Sequence, residues 1–339
     1  MQAGTEKSIT IGIIYFDGSG ASEEREMSAE KQYKTHALMM LVALIWGLSW
    51  PVGKMLALGL PPMTGAWMRY VLTMIIFYSW FAYQAANGES VQWFTRDKKS
   101  LKTVTILALT GVLGYQLFFM HGVYYTAASD ASLIITFNPI FTVLLAAPLL
   151  GQKISAKMLV GLACGFIGVA IVTGWSPNTH IEFADRVLGD ILIMLAALSW
   201  AMTTNMTRRM MEQRGGEGPS TSLQIVVWYS LIGTVLLTPL AIYETWQFGL
   251  PDPTIQDWYA IFYLGALSTV LAYYWFVKGI EKLGATSAAS YVFVVPVFGV
   301  LSSWWLLDEK IGISLVIGFI LIVAGVKVVR AESERLRTT

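Results

Sequence analysis

One segment of this chain is written twice. ASLIITFNPIFTVLLAAPLLGQKI runs from Ala131 to Ile154, and AASYVFVVPVFGVLSSWWLLDEKI runs from Ala288 to Ile311. Pro139 aligns with Pro296, Phe141 with Phe298, Leu149-Leu150 with Leu306-Leu307 and Lys153 with Lys310. The same offset continues through Gly161 with Gly318 and Gly168 with Gly325. A weaker match sets ALIW at Ala43 to Trp46 against ALSW at Ala197 to Trp200, with Lys54 opposite Arg208. Apolar segments of this length cross a bilayer. A duplicated span with a proline at its centre confines the fold to two halves that build one site between them.

Composition agrees with a membrane setting. The chain is 55% hydrophobic and only 13% charged, with mean hydropathy +0.58, whereas soluble domains carry about 25% charged residues. Ten helices are expected, at about 36–58, 61–86, 102–124, 127–150, 156–174, 188–210, 219–243, 257–278, 284–307 and 311–330. The fold class is therefore an all-α integral membrane protein. The single cysteine, Cys164, excludes an internal disulfide or a multi-cysteine metal site. No metal or cofactor is expected.

Orientation follows from lysine and arginine. An N-terminus inside the cell places Lys31, Lys34, Arg96, Lys98, Lys99, Lys102, Lys153, Lys157, Arg208, Arg209, Arg214, Lys278, Lys282, Lys327, Arg330, Arg335 and Arg337 on the cytoplasmic side, and leaves only Arg186 and Lys310 in the outer loops. Both termini are then cytoplasmic. The copied segments are the fourth and ninth spans, five apart, so they cross in opposite senses and the halves form an inverted repeat. The expected organisation is a cytoplasmic tail at 1–35, five-helix repeats at 36–174 and 188–330, and a cytoplasmic tail at 331–339.

These features carry a family resemblance. LIWGLSWPVGK in the first span, LPPMTGAWMRY opening the second, YYTAASDASLIITFNPIFTVLLAAPLL in the third and fourth, and GATSAASYVFVVPVFGVLSSWWLLDEKI with GFILIVAGV in the ninth and tenth resemble the drug/metabolite transporter superfamily, in its EamA-domain branch. The chain departs from the family pattern at Gln152, where a glutamate is usual, and retains its partner Glu309. The resemblance implies a secondary transporter of the plasma (inner) membrane, often an exporter of amino acids or other small metabolites, with a central cavity shared by both halves. A facilitator or importer of another small solute, such as a nucleoside, sugar or drug-like cation, is the alternative. An intramembrane enzyme is a distant one: the chain has no HExxH, Walker loop or GxSxG, and it is not read as an enzyme. The expected partners are a small-molecule substrate, the lipid bilayer and a candidate coupling proton, without nucleic acid, for a monomer or weak dimer.

Residue chemistry proposes the site. A proline inside a helix removes one donor and clashes with the carbonyl four residues back, so Pro51, Pro139 and Pro296 are candidate hinges that loosen the carbonyls of Gly47, Ile135 and Val292. Ions deep in a bilayer are costly and usually functional. Arg69, two turns past Pro62, is the sharpest case, for pairing with a substrate carboxylate. Lys54 is expected to snorkel. Acids are expected only at span ends, at Asp130, Asp190, Glu281 and Asp308, so no carboxylate relay is visible; His121 is the candidate proton site. Trp46, Trp50, Tyr115, Asn138, Trp200, Asn205, Gln224, Trp228, Tyr274 and Tyr291 complete the candidate substrate-binding set, as an aromatic box with a few amides. The plainer reading of the aromatics is an interfacial belt, and of the amides helix-to-helix bonding. Small-residue faces at Gly111, Gly114 and Gly122, and at Gly265 and Gly279, are close-packing and sliding surfaces for alternating access.

Overall fold

A computed structural model describes residues 19–95, 97–150, 154–213, 219–283 and 285–338. The described residues are helices joined by short turns, with no strand. Nine helices among them are long and apolar enough to cross a membrane: Tyr33–Gly59, Lys98–Tyr125, Ala128–Ala146, Ala156–Gly174, Phe183–Met210, Leu223–Phe248, Ile255–Ile280, Ser290–Leu307 and Ile313–Leu336. The second helix in chain order, Pro62–Ala86, has 25 residues and is more polar. At 1.5 Å per residue it is about 37 Å long, as long as a span requires. Counting it, the helices number one to ten in chain order. The tenth runs on to Thr338, so the residues expected as a C-terminal tail continue the span. Gln152 and Lys153 lie outside the described residues.

Local chemistry sets several boundaries. Proline at the first turn starts the second helix, where its missing N–H costs nothing. Asp97 caps the third, accepting from the Ser100 amide at 2.8 Å. Asp308, in the left-handed conformation at φ 53°, terminates the ninth.

The inversion is visible at the matched glycines. The fifth and tenth helices share the most extensive contact in the bundle. A Cβ on Gly161 would fall 2.8 Å from the Gly325 carbonyl oxygen, and one on Gly168 would fall 2.7 Å from that of Gly318. Gly161 is the sequence equivalent of Gly318, and Gly168 of Gly325. Each contact is therefore the image of the other when the halves are exchanged, which is what a two-fold axis lying in the membrane plane produces. Only glycine allows backbones to approach this closely.

The copied prolines break their helices alike. The fourth span passes through a 3₁₀ turn at Ile135–Phe137 before resuming at Asn138. The ninth stops at a turn over residues 293–294 and resumes at Val295–Leu307. Pro51 behaves otherwise. Its helix, Ser19–Gly59, continues unbroken, and the expected hinge there is absent. Neighbours hold it: Phe298 presses on Gly47, and the Tyr263 hydroxyl donates to the Ile45 carbonyl at 2.8 Å. The third and eighth spans are also matched, each containing a π-helical stretch, Leu109–Gly114 and Tyr263–Leu271.

Candidate functional site

Between the halves lies a cavity of about 580 Å³, within the size range of metabolite sites. Residues flanking both helix breaks line it: Ile135, Thr136, Asn138 and Pro139 on one side, and Val292, Phe293, Val295 and Pro296 on the other. Breaking a helix at membrane depth is tolerated where the loosened backbone faces a cavity or protein. The repeated proline thus shapes the site directly. From the middle of the bundle the cavity extends toward the end that carries the termini, where Arg330 lines it.

Aromatic rings form a connected wall. Trp46 meets Tyr273 at 5.5 Å, Tyr273 meets Trp200 at 6.4 Å, and Trp200 meets Tyr115 at 5.4 Å between ring centroids. Tyr115 stacks on Phe119 at 5.6 Å, and Phe119 meets Trp50 edge-on at 5.3 Å. The wall respects the inversion: Trp46 and Trp200, matched in sequence, each pack on a tyrosine from the third helix of the opposite half. The Trp46 indole is oriented by a 3.1 Å bond to the Ser268 carbonyl.

Arg69 supplies the charge. It sits about 10 Å along its helix from Pro62, is only 7% exposed, and lines the cavity with its guanidinium 4.9 Å from the Tyr70 ring. Its Nε has no hydrogen-bond partner, and no carboxylate forms an ion pair with it among the described residues. Gln116, fully buried on the same wall, leaves both its amide nitrogen and its amide oxygen unpartnered. Among the described residues the charged side chains lining the cavity are arginines, Arg69 and Arg330, and no acid lines it. Buried polar groups are normally paired. A site that holds an arginine and an amide unpaired, inside aromatic walls, is built to receive an anionic group attached to an apolar body.

Of the residues chosen from sequence, Trp46, Trp50, Arg69, Tyr115, Asn138 and Trp200 line this cavity. Asn205, Gln224, Trp228, Tyr274 and Tyr291 do not. Asn205 bridges helices, donating to the Thr142 and Ala201 carbonyls at 2.9 and 3.1 Å. Trp228 is fully buried and donates to the Gln92 carbonyl at 3.3 Å. Gln224 is half-buried near the start of the seventh helix. Tyr274 faces outward beside Trp80, and Tyr291 shares a 2.5 Å hydrogen bond with His36. Sequence reasoning missed Tyr70, Gln116, Phe119, Tyr229 and Tyr273. Gln116 alone carried a signal, an amide in mid-span. Tyr273 faces inward in place of Tyr274 because the π-helical stretch before it shifts the helical phase.

The ionisable residues are arranged differently from expectation. Lys54 does not snorkel; it is half-buried and donates inward to the Thr126 carbonyl. Asp130 and Asp190 lie at span ends yet are 0% and 2% exposed, because the loop carrying Ser176 and Asn178 folds over them. His121 is tied by Nδ1 to the Leu117 carbonyl of its own helix at 2.8 Å, as a structural histidine is. Among the described residues no group of three or more His, Cys, Asp or Glu could hold a metal ion.

Carboxylates lock the bundle at the end away from the termini. Glu309, just past the ninth helix, accepts from the amides of Ala128 and Ser129 at 2.7 and 2.8 Å, capping the fourth helix of the other half. Glu244, at the end of the seventh, accepts from the amides of Met63 and Thr64 at 3.1 and 2.7 Å and from the Thr64 hydroxyl at 2.9 Å. An anion at a helix N-terminus satisfies orphan donors and the helix dipole together. Asn178 completes the closure, donating to the Ser129 hydroxyl at 3.2 Å and accepting from the Lys310 amide at 2.7 Å.

Comparison with known proteins adds the family. The EamA-like transporter family matches residues 34–174 and again residues 187–331. The "Uncharacterized transporter YetK" of Bacillus subtilis is 26% identical over 304 residues, 86% of this chain and 87% of its own. A "Probable amino-acid metabolite efflux pump" of Escherichia coli is 25% identical over 298 residues, 86% and 93% of the two chains. The protein of the same name from Salmonella typhimurium is 27% identical over 296 residues, 85% and 92%. A solved crystal structure at 19% identity superposes with TM-score 0.56, covering 89% of this chain and 99% of that one, and shares the fold.

Proposed function

The chain belongs to the EamA-like transporter family, a multi-pass membrane transporter of small solutes, and from that premise we propose that its solute is an amphipathic carboxylate of the amino-acid class, exported by alternating access. One observation carries the substrate: Arg69 is buried, has an unpartnered Nε and faces an aromatic cavity that no acid lines among the described residues. An arginine presents fixed donors that match a carboxylate, while Trp46, Trp50 and Trp200 take the apolar portion. The same electrostatics disfavour a drug-like cation, which would meet arginine with no carboxylate to offset it. The relatives named as amino-acid metabolite efflux pumps are consistent with this class.

The mechanism follows from the two ends. The excess of basic residues at one end supports a reading in which both termini lie in the cytoplasm and the protein sits in the plasma membrane. The cavity then opens inward and is closed on the outer side by Glu244 and Glu309. Substrate enters from the cytoplasm and engages Arg69. The halves rearrange around the breaks at 135–137 and 293–294, and the outer end parts. No cofactor takes part, and no covalent chemistry is asked of the chain.

Flux of radiolabelled amino acids and other carboxylates in proteoliposomes tests this reading. Truncating one member of a buried charge pair costs about 2–5 kcal/mol, so Arg69→Ala should lower affinity for a transported carboxylate by at least about 30-fold. Arg69→Lys should restore part of it. Decarboxylated amines should not be carried. Equal transport of amines and their parent acids would sink the proposal.

A further inference from the structure

The acids enclosed at the end away from the termini have no role in the cavity, and their partners do not balance. Asp130 and Asp190 face one another's charge among Lys54 from the first helix, Arg186 from the sixth and Glu309 beyond the ninth. The hydroxyls of Ser176 and Thr173 lie beside them. Both oxygens of Glu309 are taken by helix amides. The bases spend their donors on backbone: Lys54 on the Thr126 carbonyl, Arg186 on the carbonyls of Thr173 and Asn178 at 3.1 and 3.5 Å. Asp190 accepts from the Thr126 hydroxyl at 2.6 Å and Asp130 from the Ser129 hydroxyl at a long 3.4 Å, with the Thr173 and Ser176 hydroxyls as further donors to the pair. The second oxygen of each aspartate is buried with no partner.

Three buried carboxylates therefore face two bases, Arg186 buried and Lys54 half-buried. One negative charge is in excess, and the unpartnered oxygens belong to the two aspartates. A buried carboxylate without a compensating donor is the costly form of the group. A proton on one of the pair removes the excess charge and leaves that buried carboxyl neutral.

We propose that Asp130 and Asp190 together form a proton-binding site that holds one proton while this end of the bundle is closed and releases it to water when the end opens. The pair sits where the halves join: Asp190 bonds Thr126 across the boundary, and Asp130 lies in the helix turn that Glu309 caps. Opening separates these groups and hydrates the carboxylates, and the proton passes from a carboxyl oxygen to solvent. Binding to one state alone stabilises that state by mass action. Acid on this face thus favours closure and slows the cycle. The linkage to transport rests on the carboxylate-transporter reading; occupancy of the proton site does not.

Two measurements separate them. Infrared spectra of the purified full-length protein between about pH 5 and about pH 9 should show a protonated-carboxyl band near neutrality, lost in Asp130→Asn, in Asp190→Asn, or in both. This readout needs no substrate. A wild-type spectrum without the band, or the same band retained in both variants, overturns the site. In proteoliposomes, acidifying the compartment facing this end should slow wild-type flux several-fold, while the neutral variants should be slow at every pH with the slope flattened and substrate binding retained. An unchanged slope in both variants overturns the linkage. A band present in protein that carries no tested carboxylate supports the proton site and fails the substrate reading alone. Should one variant not fold, the wild-type spectrum and the other variant decide.

Discussion

The two ends of this bundle are held together by different physics. Away from the termini, Glu244 and Glu309, both buried, drive carboxylates into helix N-termini of the opposite half. At the terminal end, the first and ninth helices meet through His36 and Tyr291 in a part-buried hydrogen bond, and Arg330 lies over the Phe293 ring at 5.8 Å. Charge-assisted bonds in a dry setting are strong and specific; the His36–Tyr291 bond is part-buried and the Arg330 contact is a cation over a ring. An inverted repeat supplies the same scaffold at both ends. Unequal side chains then decide which end stays shut.

Substitutions can break that comparison, beginning with the largest effect. Glu244→Ala orphans two amides and a hydroxyl, at about 1–3 kcal/mol for each buried group left unpaired, and should lower stability by about 3 kcal/mol in thermal unfolding of detergent-solubilised protein. Glu309→Ala orphans two amides but also removes a carboxylate from beside Asp130, so about 2 kcal/mol is expected. If Glu309→Ala proves the costlier, the excess of negative charge in that cluster is wrong. Tyr291→Phe removes one bond at the terminal end and should cost about 1 kcal/mol or less, read in the same melts. Arg330→Ala should be smallest, about 0.5 kcal/mol on stability, with its effect visible instead as weaker carboxylate uptake at low ionic strength. Equal sensitivity at both ends would erase the distinction.

Much of this was legible in the letters. The repeated proline announced two helix breaks because a missing N–H has the same consequence in any helix, and lysine counting announced their opposite directions. Arg69 was legible by depth alone. Trp46 and Trp200 were legible because the repeat copied them. The buried aspartates were not, since reading a span end as wet assumes that no loop covers it, and hydropathy does not show the fold of residues 175–182 over Asp130. Tyr273 was hidden by a π-helical phase shift that no periodicity of 3.6 contains. Pro51 misled in the other direction: a proline bends a helix only if its neighbours leave room, and Phe298 leaves none at Gly47.

The seam between the fifth and tenth helices has a kinematic consequence. Glycine-rich faces suggest lubricated surfaces along which helices slide, but Gly161 against Gly325 and Gly168 against Gly318 interlock backbone to backbone. A methyl group at any of these four glycines would collide with the backbone or side chains of the facing helix. Contact this close, at two points along the pair, resists displacement of one helix against the other. A change of state is then expected to keep this seam intact and to part the bundle elsewhere.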